Sequence, residues 1–195
     1  MEPKNKLIQE ENGFWYPLDN AAKIYPAITT GEVTSVFRIS ANLTHRINIQ
    51  CLFKAVRSIE SRFPYYKVRL KKGFFWYYFE SADFPTLVEV DNKVLCRGFR
   101  KGGNLFRILA ADNKISVEFS HLLTDGSGAF EYFKTLLVSY FELMGVEVSS
   151  TFNYIKTESA PMPEEFEDAY NRYFQENIPA CFQDHGQASG DRNFR

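Results

Sequence analysis

The sequence predicts an α+β fold, a mainly antiparallel or mixed sheet with helices packed on one face. Three observations carry this reading. Hydrophobic residues make up 45% of the 195 residues, with 19 Phe and 11 Tyr, which is ample for the core of one domain. Stretches of period-two alternation fall in neighbouring pairs around turn residues, the pattern of hairpins. Two longer stretches space their apolar residues as helices do.

Residues 1–32 hold no long periodic element. Pro17, Pro26 and Gly31 punctuate them, so they read as a leader of short turns packed on the domain. Residues 33–150 then read as the main domain. Val33 to Ser40 alternates as a strand. Thr44 is a good N-cap for a helix whose stripe is Ile49, Leu52, Ala55, Val56, Ile59 and Phe63, and Pro64 ends it. Tyr66 to Lys71 and Phe74 to Phe79 flank Lys72-Gly73 and read as a hairpin. Glu80 to Pro85 is turn-rich, Val88 to Val90 is a short strand, and irregular chain follows through Gly98, Gly102 and Gly103. Leu105 to Ala110 and Lys114 to His121 flank Asp112-Asn113 as a second hairpin. Its second strand sets Ile115, Val117 and Phe119 against Ser116, Glu118 and Ser120, so it reads as half-buried.

Past Gly126 the period changes from two to 3.6. Phe130, Phe133, Leu137, Tyr140, Phe141 and Met144 give a helix over 127–144, and Gly145 suits its stop. Val146 to Ser150 reads as a short strand. Residues 151–195 read as a linker around Pro161 and Pro163, a helix over Glu164 to Asn177 with acids in its first turn, and a polar tail from Gln183 that does not fold alone.

Charge excludes some functions. The formal net charge is −1 and the pI near 6.3, so there is no electrostatic footprint for nucleic acid or for an anionic membrane. Lys71, Lys72, Arg97, Arg100 and Lys101 form only small basic clusters, read as solvated loop faces. Cys51, Cys96 and Cys181 are odd in number and widely spaced, so neither a disulfide framework nor a zinc cluster follows and no metal is expected. The N-terminal stretch around Glu10 and Glu11 is too charged for a signal peptide, and no apolar run approaches the roughly 20 residues of a membrane span. A cytoplasmic protein is the expectation.

Chemistry concentrates in Ser120-His121-Leu122-Leu123-Thr124-Asp125-Gly126-Ser127-Gly128, where the strand gives way to the helix. An imidazole at a strand end can face a cleft while its backbone is held, and it accepts a proton near neutral pH. Gly126 and Gly128 permit backbone angles or close approaches that a side chain would block. Residue types alone leave two readings open: a catalytic base at His121, and a helix entry capped by Asp or Ser with His121 hydrogen-bonded in place. His45 and His185 have no such context, and no role is assigned to them.

The pattern HxxxDG, followed by small residues and a Phe-rich helix, resembles the active-site motif of the chloramphenicol-acetyltransferase-like superfamily of CoA-dependent acyltransferases. That superfamily includes alcohol acetyltransferases, plant acyltransferases and peptide-synthetase condensation domains. Leu52 to Val56 and Arg62 to Leu70 resemble its first long helix and the exit into an arginine-bearing strand. Gly73 to Phe79 and Trp15 to Ala22 look most like the bacterial alcohol-acetyltransferase-like branch, and the resemblance covers residues 14–145. Condensation domains usually carry a second His before the catalytic one. Ser120 stands there, which disfavours that branch.

The resemblance implies a role for each residue of the motif. His121 would be the general base, and Gly126 would let the loop bend close beneath it. Asp125 would turn away from the cavity and pair with an arginine; Arg38, Arg69 and Arg107, all on predicted strands, are the candidates. Members of the family are two-halved and about twice as long, with the active site in a channel between halves. The chain therefore resembles an N-terminal half whose residues 151–195 lead toward an absent C-terminal half. The implied co-substrate is acyl-CoA, with acetyl-CoA foremost, and no permanently bound cofactor. The implied acceptor bears a hydroxyl or an amine, and an uncovered channel face implies a C-terminal half or self-association as partner. A non-catalytic binding module of the same fold and a carrier-protein-dependent condensation unit are the competing functions.

Overall fold

The computed structural model describes residues 8–10, 13–30 and 33–166. Among these residues there are two four-stranded sheets. The first runs β1 (Ile8–Glu10), β2 (Gly13–Pro17), β5 (Tyr77–Ser81), β4 (Val68–Lys72), with every neighbour antiparallel. The second runs β3 (Val36–Asn42), β8 (Lys114–Ser120), β7 (Phe106–Ala111), β6 (Val88–Val90), antiparallel except for the β6–β7 pair. The helices are the short α1 (Tyr25–Ile28), α2 (Ile49–Ile59) and α3 (Gly126–Leu143).

The second sheet carries the core. Ile115, Val117 and Phe119 of β8, on one face by the period of two, are fully buried with Ile108 against Leu52 and Ile59 of α2 and Tyr132 and Leu136 of α3. Each such side chain contributes about 1.5–3 kcal/mol by leaving water. A smaller cluster of Leu18, Ala22, Val68, Phe79, Leu105 and Leu122 joins the first sheet to the loop after β8.

Several expectations are corrected. The stretch read as a leader supplies a strand: β2 pairs with β5, Tyr16 opposite Phe79. Helix α2 is capped by Asn48, whose Oδ1 accepts from the backbone of Gln50 and Cys51 at 3.1 and 3.2 Å, and not by Thr44. The cause is tertiary. The backbone N–H groups of Leu43 and Ile47 donate to the carbonyls of Asn113 and Asp112 at 2.7 and 2.8 Å, which holds residues 43–47 on the β7–β8 turn and delays the helix. Strand β5 begins three residues later than read, at Tyr77, and residues 73–76 form the turn that joins it to β4. Residues 146–150 form no strand. Of the helix expected over 164–177, Pro163–Phe166 is a 3₁₀ turn, and the rest lies outside the described residues, as do Cys181, His185 and the polar tail.

Strand β8 is buried on both faces rather than one. On the face away from the helices, fully buried Glu118 accepts from Arg38 Nε at 2.7 Å, from Arg107 Nε at 2.8 Å and from the backbone of Cys96 at 2.8 Å. Asp91 pairs with Arg38 at 2.9 Å and with Lys114 at 3.2 Å. A buried carboxylate is costly unless paired in this way.

The chain after α3 returns to the body. Arg62, 3% exposed, holds Glu165 by two bonds of 2.7 Å and Ser159 Oγ by one of 2.9 Å, and Tyr65 OH donates to Glu165 at 2.7 Å. The Phe166 ring meets Phe14, Tyr16 and Tyr65 edge-on.

Candidate active site

Strand β8 ends at Ser120 and α3 begins at Gly126, so His121 to Asp125 make the connection. The His121 backbone N–H donates to the Ser35 carbonyl at 2.8 Å, which ties the residue to the lead-in of β3. Ser35 reaches that position with φ 49°, a left-handed angle uncommon outside glycine. The imidazole is half-buried between two rings. Tyr25 stacks on it at 5.4 Å and an interplanar angle of 10°, and Phe37 lies 4.3 Å away. Two aromatic neighbours pack on the ring, whose nitrogens lie on its edge. Neither ring nitrogen is hydrogen-bonded among the described residues, and the bond that holds His121 is that of its backbone to Ser35.

Asp125 is the N-cap of α3, with its Oδ1 accepting from the Gly128 backbone at 2.9 Å. Among the described residues none of the three candidate arginines pairs with Asp125. Arg38 is held by Glu118 and Asp91, Arg69 by Glu80 and Arg107 by Glu118. The physical reason is competition: Glu118 and Glu80 face these arginines directly across the strand ladder, at Arg38↔Glu118, Arg107↔Glu118 and Arg69↔Glu80, whereas Asp125 lies beyond the sheet at a helix start. Nor is Asp125 bonded to the His121 ring, so no carboxylate–imidazole relay is formed.

The steric need for glycine falls on Gly128. A Cβ there would lie 2.3 Å from Thr124 Oγ1 and 3.0 Å from Tyr66 OH, whereas one at Gly126 would meet nothing within 4 Å. Tyr66 OH and Thr124 Oγ1 are hydrogen-bonded at 3.1 Å. Burial pushes the Tyr66 phenol above its ordinary value, which keeps it neutral. The loop is thus fixed at both ends, by the Ser35 carbonyl under His121 and by the Asp125 cap, with Tyr66 bracing Thr124 between them.

Beside this loop lies a cavity of about 410 Å³. Leu122, Leu123, Thr124 and Asp125 line it with Tyr16, Tyr65 and the 163–166 turn; His121 is not among its lining residues. Sequence reading missed Tyr25, Phe37 and Tyr66 as parts of the site. Phe37 was on a predicted strand facing the same way as Ile39, and its strand register to β8 is what brings it to the histidine. Nothing local in the sequence announces Tyr25 or Tyr66.

No family model matches the sequence, and no curated protein does. Solved structures do match. Polyketide synthase associated protein 5 from Mycobacterium tuberculosis superposes with a TM-score of 0.54 at 14% identity, over 80% of this chain and 38% of that one. The SgcC5 protein from Streptomyces globisporus gives 0.56 at 16% identity, over 70% and 38%. An arginine-to-alanine variant of the starter condensation domain of rhizomide synthetase RzmA, solved in complex with C8-CoA, gives 0.56 at 13% identity, over 72% and 39%. The chain spans about two fifths of the length of these structures. Among the described residues no helix is long and apolar enough to cross a membrane. What the likenesses show is the fold: two sheets and three helices in the arrangement of one half of the condensation-domain and chloramphenicol-acetyltransferase-like architecture.

Proposed function

We propose that this chain is the base-bearing half of a CoA-dependent acyltransferase that moves an acetyl or other acyl group from acyl-CoA to a hydroxyl or amine. The observation that carries the reading is His121. It is a strand-end imidazole clamped between Tyr25 and Phe37 with its nitrogen edge unbonded among the described residues, in a fold whose solved examples include a condensation domain in complex with C8-CoA.

The chemistry follows from that edge. A ring nitrogen of neutral His121 takes the proton of the acceptor O–H or N–H as the acceptor attacks the thioester carbonyl carbon. The tetrahedral intermediate collapses, the carbon–sulfur bond breaks, and the imidazolium returns the proton to the leaving thiolate. The products are the acyl ester or amide and free CoA. Asp125 takes no proton in this scheme; its cap fixes the start of α3 and hence the loop that carries the base.

Ser120 bears on the alternative of a carrier-dependent condensation unit. It stands where that branch carries a further histidine, and it is buried, with its Oγ accepting from Leu122 N at 3.3 Å. The remaining alternative is a binding module without turnover.

Acyl transfer from acetyl-CoA to an alcohol, followed by release of free thiol, separates these readings. In the protein completed by a second half, His121→Ala should lower turnover by roughly two to four orders of magnitude, the usual worth of a general base. Binding of acyl-CoA should change far less. Full activity in His121→Ala would remove the assignment, and acyl-CoA binding with no turnover in the completed protein would favour the binding module.

A further inference from the structure

The tip of the β4–β5 hairpin takes no part in the site above, and it is the most exposed apolar feature of the described residues. Phe74, Phe75 and Trp76 are consecutive and 90%, 81% and 59% exposed. Aromatic side chains present on the order of 150–250 Å² each. The tip therefore reaches the size of the largest apolar patch on an ordinary monomer, about 300–600 Å² and often functional.

The geometry holds these rings outward. Gly73 N–H donates to the Trp76 carbonyl at 2.7 Å and closes the turn. The Phe74 and Phe75 rings pack edge-to-face at 4.6 Å, and Phe75 and Trp76 lie 6.4 Å apart, so Phe75 adjoins both of its neighbours at the apex. Just behind them stand Lys71 and Lys72. Lys72 Nζ lies 5.9 Å from the Tyr77 ring centre, and Lys71 lies 3.5 Å from Glu80. The strands carry Arg69, Lys71 and Lys72 against the carboxylate of Glu80 alone, so the hairpin is basic although the chain as a whole is not. Half-buried Tyr77 and Tyr78 follow as the next layer toward the body.

We propose that this hairpin is a membrane-surface anchor, with Phe74, Phe75 and Trp76 inserting into the headgroup region of a phospholipid bilayer and Lys71 and Lys72 lying at the level of the phosphates. Three features favour a bilayer over a protein partner. The apex is convex, and a protein interface would need a matching groove to bury its centre. A lipid surface deforms around such a tip. The order of chemistry along the hairpin, Phe and Trp outermost, then lysines and tyrosines, is the order of depth in a membrane interface, where Trp and Tyr settle at headgroup level and lysines extend to phosphate. The cations flank the tip, as attraction to anionic lipid requires. The proposal stands on the hairpin alone and does not depend on the role of His121.

The test uses the whole chain with two kinds of vesicle, pure phosphatidylcholine and an equal mixture of phosphatidylcholine and phosphatidylglycerol. In a Trp15→Phe background, Trp76 emission should shift to the blue on vesicle addition and be quenched by lipids brominated on the acyl chain. The variant Phe74→Ser/Phe75→Ser/Trp76→Ser should keep its far-ultraviolet circular dichroism, because these side chains are exposed, and lose partitioning by roughly tenfold or more, since interfacial binding scales with inserted apolar area. Lys71→Gln/Lys72→Gln should weaken binding to the anionic vesicles by roughly fivefold per lysine while leaving phosphatidylcholine binding nearly unchanged. Absence of flotation with either vesicle overturns the proposal, as does flotation unaffected by the triple Ser variant. If that variant instead changes the elution volume of the chain and vesicles bind neither form, the tip is a protein interface.

Discussion

At the scale of single residues, the loop after β8 separates two kinds of glycine and one kind of carboxylate. Asp125 acts by capping, so Asp125→Asn, which preserves an acceptor of nearly equal capping strength, should leave stability almost unchanged. Asp125→Ala should cost about 1 kcal/mol in urea unfolding. A large loss in Asp125→Asn would mean that its charge, and hence an ionic partner, matters. The two glycines should answer in opposite directions. Gly128→Ala places a methyl group 2.3 Å from Thr124 Oγ1 and should be destabilising, with Thr124 and Tyr66 displaced. Gly126→Ala opens a helix in free space at ordinary φ and should stabilise by roughly 0.4–1 kcal/mol, because alanine loses less freedom on folding. Equal effects at the two positions would contradict the packing of the loop.

At the scale of elements, what could be read in the sequence divides by range. The β8–α3 junction was legible because its signal is local: the period changes at Gly126, and the helix begins and ends within a residue of the expected bounds. The β7–β8 hairpin was legible for the same reason. Strand β2 was not, since Gly13 to Pro17 is short and its partner β5 lies far downstream. Phe74 to Trp76 read as strand because an apolar run is equally consistent with a buried strand and an exposed tip; only the closure between Gly73 and Trp76 decides. At the site, the position of His121 was legible and its neighbours were not. The expected arginine partner of Asp125 failed because buried Glu118, an apparently solvent-facing position of an alternating strand, claims both Arg38 and Arg107.

The end of the returning segment, from Ser159 to Phe166, is held by the cluster around Arg62, and it gives a pH-dependent prediction. Burial alone would raise the Glu165 carboxyl, but hydrogen bonds from Arg62, Tyr65 and the Met162 backbone outweigh it and hold the group below its ordinary value of 4.5. A carboxyl depressed in the folded state contributes stability that is present above its unfolded value and lost as pH falls through the folded one. Stability should therefore decline as pH drops below about 4.5 toward that lowered value, and Glu165→Gln should flatten this part of the curve. At neutral pH Glu165→Ala should cost about 1.5–3 kcal/mol, the range for hydrogen bonds to charged groups. Denaturant unfolding of both forms across acid pH measures this. Parallel curves for wild type and Glu165→Gln would show that the cluster does not hold the segment.

At the scale of the whole molecule, apolar side chains near His121 stand exposed among the described residues. Tyr25 stacks on the imidazole, and its neighbours Ile24 and Ile28 are 61% and 48% exposed, with Val33 at 55% on the approach to β3. Exposed apolar side chains beside the imidazole proposed as the base are what a channel wall would present, and such patches usually mark an interface. The chain spans about two fifths of the length of the solved structures that share its fold, which leaves room in those proteins for the opposite wall. The 195-residue chain should accordingly show concentration-dependent association in sedimentation velocity and give little or no acetyl transfer from acetyl-CoA. Ile24→Lys/Ile28→Lys should suppress the association, because each substitution puts a charge where a facing apolar surface would have to bury it. Serine substitution of Phe74, Phe75 and Trp76 should not suppress it, since the tip is assigned to a different partner. A chain that stays monomeric at high concentration and transfers acetyl groups at enzymatic rates would show that the His121 side needs no second wall, and the half-site reading would fall with it.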